Sequence, residues 1–378
     1  VTDFSPGRTS AHVAWPDVAK GIGIVLMYFG HVLARMPAIQ SGQGHGASME
    51  EMRFIYAFHM PLFFMMAGFF FRPPLRWPAQ VGALVIRRLV PVVFFGLLLV
   101  PLWSAGPLRH GLSAWHELEP LAEGYLHGHP DLNWVTWFLV CLFVSECLAL
   151  LVLPRLRSVR AQLLGGLAVI FVGVEICNHV GTVARWLGVG EHTWFAYEAV
   201  VALGFYMVGH ALFPALKRLA THRLAAGVVG LLALALTVVS YPLNSLSPQL
   251  TVMMSSDRQG DPLPFMLTAL SGSVAVMALA MLLQRVAILG WLGRMSMVFL
   301  GLSGVFFHFI NAPLMLRWPP PEAAVPLTLY VLLVTLMSLL IATPFAVLLM
   351  RWVPQWLGKP NAARAGRIGA GVKRPPAP

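Results

Sequence analysis

The chain has 378 residues, of which 58% are hydrophobic and only 11% charged, where an ordinary soluble domain carries about a quarter charged residues. With a mean hydropathy of +0.74, this composition excludes a soluble enzyme and points to a chain embedded in lipid. A formal charge of +11 would suit a nucleic-acid binder, but its distribution, taken below, assigns it to membrane topology and no nucleic-acid partner is expected.

A bilayer core needs about 20 apolar residues per helical span. In chain order, apolar runs cover 18–36, 54–71, 84–103, 134–153, 161–177, 194–213, 224–241, 264–283, 295–316 and 326–350. They predict an all-α, polytopic membrane protein of ten transmembrane helices with both termini cytoplasmic. Residues 1–17 then form a cytoplasmic N-terminal segment, 18–350 the transmembrane domain and 351–378 a basic cytoplasmic tail. That tail is rich in Pro and Gly and is expected to be disordered beside anionic lipid. Its glycines Gly366, Gly369 and Gly371 follow no strand and make no phosphate loop. The first apolar run is long and lacks a cleavage site, so no cleavable signal peptide is expected. Cys141, Cys147 and Cys177 all lie inside apolar runs, where they act as small hydrophobes rather than as a disulfide or zinc framework.

The charges order themselves on this topology. Twenty of the 26 basic residues fall on inner segments, among them Arg72, Arg76, Arg87, Arg88, Arg155, Arg157, Arg160, Lys217 and Arg218. Ten of the 15 acids fall on the outer side. This is the asymmetry of the positive-inside rule. The longest outer loop runs from 104 to 133 and holds His110, His116, His127 and His129.

Ionisable residues within a span are expensive and usually face a cavity or a partner. The first span concentrates them. Asp17, Lys20, His31 and Arg35 fall within an arc of roughly 60° on a helix of 3.6 residues per turn. A packed polar seam between helices would explain one such residue; four on one narrow face favour a functional lining. His31 lies near the outer end of the first run and His59 near the outer start of the second, both roughly 7–8 Å below that boundary. Glu198 reaches a similar depth from the sixth run and is expected to orient His31, with His59 as the other partner for that role; Glu175 and His308, taken singly, read as interhelical polar contacts. Two histidines and a carboxylate at one level suit general-base chemistry, and His31 is the first choice of base. Adjacent guanidiniums at Arg87 and Arg88, beside Lys20, suit a phosphorylated ligand or simple topological anchoring. No G-x-S-x-G, H-E-x-x-H or C-x-x-C motif occurs, and no metal site is expected.

Several of these residues sit in motifs. Trp15-Pro16-Asp17-Val18-Ala19-Lys20-Gly21-Ile22-Gly23-Ile24, ending in Gly30-His31, resembles the opening helix of the integral-membrane acyltransferase 3 family, in particular its fucose 4-O-acetylase-like branch. Phe54-Ile55-Tyr56-Ala57-Phe58-His59-Met60-Pro61-Leu62-Phe63-Phe64, followed by Gly68-Phe69, resembles that family's second-helix signature. Arg87-Arg88-Leu89-Val90-Pro91 is similar to its basic approach to the third helix, Asn133-Trp134 through Trp137-Phe138-Leu139 to its Trp-Phe motif, and Gly293, Ser296 and His308 to a C-terminal pattern. Ala67 and Val92 depart from it, standing where serine and tyrosine are common.

The resemblance implies transfer of an acyl group, usually acetyl from acetyl-CoA, to a hydroxyl of an extracytoplasmic glycan or glycolipid, by a multi-pass protein of the bacterial inner membrane. His31 and His59 are then the candidates for the base and the oxyanion donor. Arg35 or a tryptophan (Trp134, Trp137) would frame the sugar, and Asp17, Lys20, Arg87 and Arg88 would line the donor's path. A homodimer is compatible with this reading. Direct transfer and an acyl-histidine relay both remain open, as do succinyl transfer and a carrier of a polar lipid or glycan that uses the same polar stripe as a pathway.

Overall fold

The structure is a computed structural model that describes residues 14–41, 46–73, 77–188, 190–191, 193–246 and 250–358. Most of the predicted N-terminal segment, Arg76 and the tail glycines lie outside the described residues. Among the described residues there is no β-strand, only a single bridge between Met253 and Arg258. Nine helices there are long and apolar enough to cross a membrane, which makes the protein a polytopic helical membrane protein.

Helix α1, Trp15–Ala34, starts with Pro16 and Asp17 in its first turn, where a missing N–H costs nothing and a carboxylate meets the positive end of the helix dipole. The predicted second span, 54–71, is not one helix. It is split into α2, Gly46–Tyr56, and α3, His59–Gly68, with Ala57 and Phe58 between them. Pro61 explains the break, since in a continuous helix its ring would strike the carbonyl of Ala57, four residues earlier. The break makes His59 the first residue of α3.

The next spans are α4, Trp77–Arg109; α5, Trp137–Val152; α6, Val159–Asn178; and α7, Ala196–Leu219. After them come α8, Arg223–Ser240; α9, Pro262–Leu282; the short α10, Ala287–Arg294; α11, Ser296–Arg317; and α12, Ala324–Trp352. Two contain a π-helical turn, Val85–Leu89 in α4 and Phe306–Ile310 in α11. Each lies just ahead of a proline, Pro91 and Pro313, whose ring displaces the carbonyl of Arg87 and Phe309 respectively.

Helix α1 is central and packs on α3, α9, α10 and α12. A Cβ at Gly293 would collide with the Asp17 carbonyl, and one at Gly21 with that of Leu289, so glycine lets α1 and α10 touch backbone to backbone. Gly68 and Gly209 do the same for α3 and α7, the close approach that lipid-embedded helices favour. Between α8 and α9, Thr237 donates to Ser271 at 2.9 Å and Thr268 to Ser240 at 2.8 Å.

Two expectations for irregular segments change. Much of 104–133 is helical, because α4 runs on to Arg109 and Trp115–Glu123 forms a further short helix. The tail, expected to be disordered from 351, is ordered through 358. Pro354–Leu357 makes a 3-10 turn, Leu357 is buried, and Trp356 stacks on Phe94 at 6.4 Å.

Candidate active site

Two cavities lie along α1. One, of about 410 Å³, surrounds the His31 end and is lined by His31, Tyr56, His59, Trp134, Trp137 and the turn around Met253–Arg258. The other, of about 240 Å³, surrounds the Lys20 end and is lined by Lys20, Phe63, Arg87, Arg88, Glu146 and Tyr206. Lys20 and His31 are eleven residues apart on one helix, roughly 16–17 Å along its axis.

At the His31 end, the histidines differ in their hydrogen bonding. His59 Nδ1 lies 3.0 Å from the Ile55 carbonyl. A carbonyl only accepts, so Nδ1 carries the hydrogen and Nε2 of the neutral ring keeps its lone pair. His308 Nε2 instead accepts from the Trp134 backbone N–H at 3.2 Å, which occupies its lone pair. His31 lies close enough to both to interact electrostatically. Its ring packs on Phe307 at 5.1 Å, and its buried Nδ1 has no hydrogen-bond partner. Gly30 makes room for the Tyr56 ring, which would otherwise strike a Cβ there, and Tyr56 lies 4.8 Å from the His59 ring. Arg35 places its guanidinium 4.9 Å over Phe307 and donates to Gln40.

The tryptophans are held by a clamp. Asn133 leaves helical geometry and donates its side-chain amide to the carbonyls of Phe95 and Gly301, at 3.3 and 3.0 Å. Trp103 donates to the Leu132 carbonyl at 2.9 Å. Behind them, Trp194 and Phe195 adopt left-handed backbone angles, φ 57° and 50°, a costly geometry for bulky residues. The buried Phe195 ring then sits 5.8 Å from Trp134 and 5.7 Å from Trp137.

At the Lys20 end, Lys20 pairs with Asp17 at 3.5 Å and sits 5.0 Å over the Phe70 ring. Arg88 makes a two-pronged pair with Glu146, Nε to Oε2 at 2.8 Å and Nη2 to Oε1 at 2.7 Å. Arg88 thus lines the cavity with its guanidinium engaged by Glu146, and Arg87, which is exposed, reaches the same cavity.

The structure therefore gathers His31, His59, Trp134 and Trp137 at one cavity, and Lys20, Arg87 and Arg88 at the other. It does not bring Glu198 to His31. Glu198 is fully buried, no hydrogen bond joins it to a histidine, and its electrostatic neighbour is Asp257. The equal membrane depth that suggested the pairing says nothing of azimuth around the bundle. Glu175 faces outward beside His179 at 3.8 Å.

Sequence reasoning missed two contributors. Glu146 stood inside an apolar run, a legible signal for an intramembrane partner. Residues 250–258 lie between runs and are too short to register as an element. Among the described residues, no group of three or more His, Cys, Asp or Glu side chains is placed to hold a metal ion.

Comparison with curated proteins and with solved structures gave no match. The family model described as an acyltransferase domain (Acyl_transf_3) matches residues 13–347, which covers both cavities and every helix that lines them. By that match over nearly its whole length, the chain belongs to this family of acyltransferases.

Proposed function

We propose that the protein is a membrane O-acetyltransferase of the fucose 4-O-acetylase-like kind, moving acetyl from cytoplasmic acetyl-CoA to a hydroxyl of an extracytoplasmic carbohydrate. The observation that carries this reading is the pair of cavities along α1, one basic and one histidine-lined, which share Met60 at the start of α3 as a lining residue. The charge census supports a cytoplasmic face for the Lys20 end. There Arg87 and Lys20 suit the phosphates of CoA, while its thioester arm extends toward His59. The acceptor hydroxyl enters from the opposite face, against Trp134 and Trp137.

In the reaction, the hydroxyl oxygen attacks the thioester carbonyl as His59 Nε2 takes its proton. The oxyanion that forms needs a donor, and His31 is the side chain at hand. Collapse forms the C–O ester bond and breaks the C–S bond. The proton held on His59 passes to the departing thiolate, leaving CoA and the sugar ester.

The test is to incubate the purified protein in liposomes with radiolabelled acetyl-CoA and candidate glycans. Label in an alkali-labile sugar ester is the expected result. Protein-dependent movement of unmodified glycan, with no ester formed, would replace this reading with that of a carrier.

A further inference from the structure

Met60 is the one described residue that lines both cavities. It is the second residue of α3, directly after His59, and only 8% of it is exposed. On the acyl-transfer reading above, which this inference deepens, a donor held by Arg87 and Lys20 brings its thioester to His59 past this side chain. The cavity at the Lys20 end also has apolar walls, among them Ile24, Met27, Phe138 and Leu139, beside its charged residues Lys20, Arg87, Arg88 and Glu146.

We propose that Met60 is the size filter of the enzyme and restricts the donor to short acyl thioesters. A methionine side chain has three rotatable bonds and a polarisable sulfur, so it gives way to a two-carbon group and crowds a longer one. The Pro61 break holds the filter in place, because it fixes where α3 begins and so sets Met60 beside the proposed base.

The experiment compares kcat/KM for acetyl-, propionyl- and butyryl-CoA, with one acceptor, in the wild type and in Met60→Ala, Met60→Leu and Met60→Phe. One methylene in an apolar pocket changes kcat/KM by about 10-fold or more. Met60→Ala is therefore expected to raise the butyryl-to-acetyl ratio by at least about 10-fold, and Met60→Phe to lower it. Met60→Leu conserves volume and should keep the wild-type ratio. A Met60→Ala protein that folds, binds donor and keeps the butyryl-to-acetyl ratio within about two-fold, far below that expectation, overturns the inference. Should Met60→Ala fail to fold, an unchanged ratio in Met60→Phe overturns it equally. A wild type that transfers no acyl group from any donor would instead take down the acyl-transfer reading, and this inference with it.

Discussion

In the proposed reaction, which histidine takes the hydroxyl proton depends on which ring nitrogen carries hydrogen, and the sequence is silent on that. His31 held first place there because it ends a polar stripe and a motif. In the structure, the Ile55 carbonyl fixes the tautomer of His59 and leaves its Nε2 as an acceptor, while His31 has no such anchor. The two roles predict different tolerance to an amide, which can hold a hydrogen bond but cannot take a proton. His59→Gln should lower single-turnover transfer by about 10²-fold or more, the usual scale for a lost general base. His31→Gln should retain clearly more activity than His31→Ala, since glutamine can still donate to an oxyanion. Near-normal turnover in His59→Gln, or equal loss in the two His31 variants, would reverse the assignment. The residue types at the site were legible in advance from ionisable groups inside apolar runs. Their hydrogen-bond partners, which are backbone carbonyls and amides of other turns, were not.

Among the helices, three prolines decide where chemistry-bearing side chains stand. Pro61 ends α2 and starts α3 at His59, and Pro91 and Pro313 follow the π-turns that carry Arg87, Arg88 and His308. Each proline was visible in the sequence, yet the even hydropathy of 54–71 made that stretch read as one span. The cross-helix pair is the complementary case. Arg88 on α4 and Glu146 on α5 are 58 residues apart, joined at 2.7–2.8 Å with side chains only 22% and 9% exposed. Removing one partner of a largely buried pair costs about 3–5 kcal/mol, because the other charge is stranded. Glu146→Gln and Arg88→Met should each lower the thermal midpoint in detergent, and the double variant should recover part of the loss. If Glu146→Gln melts with the wild type, the pair is not structural, and Arg88 returns as a direct ligand for the donor.

At the scale of the whole molecule, the orientation in the membrane is a proposal that rests on charge alone. Cysteines introduced into 110–128 should react with an impermeant maleimide from outside intact cells, and cysteines near Arg155–Arg160 only after permeabilisation. Reversed labelling would invert the bundle and put the histidine cavity on the cytoplasmic side. Class and helix number follow from composition and run length, since every backbone amide in lipid must be satisfied within its own helix. Local hydropathy is therefore enough to count spans, apart from the one that a proline divides. The azimuth of each helix is a different matter. It depends on which small residues let backbones touch, as Gly21 and Gly293 do between α1 and α10, and that is a property of pairs of helices far apart in the chain. The sequence by itself thus determined that this is a helical membrane protein with a polar first helix and histidines near one face. Only the tertiary structure decided that His31 and His59 share a cavity, that Glu198 does not join them, that Glu146 holds Arg88, and that Met60 lines both cavities. Depth in the bilayer is written into one segment, whereas contact across it requires the packing of all of them.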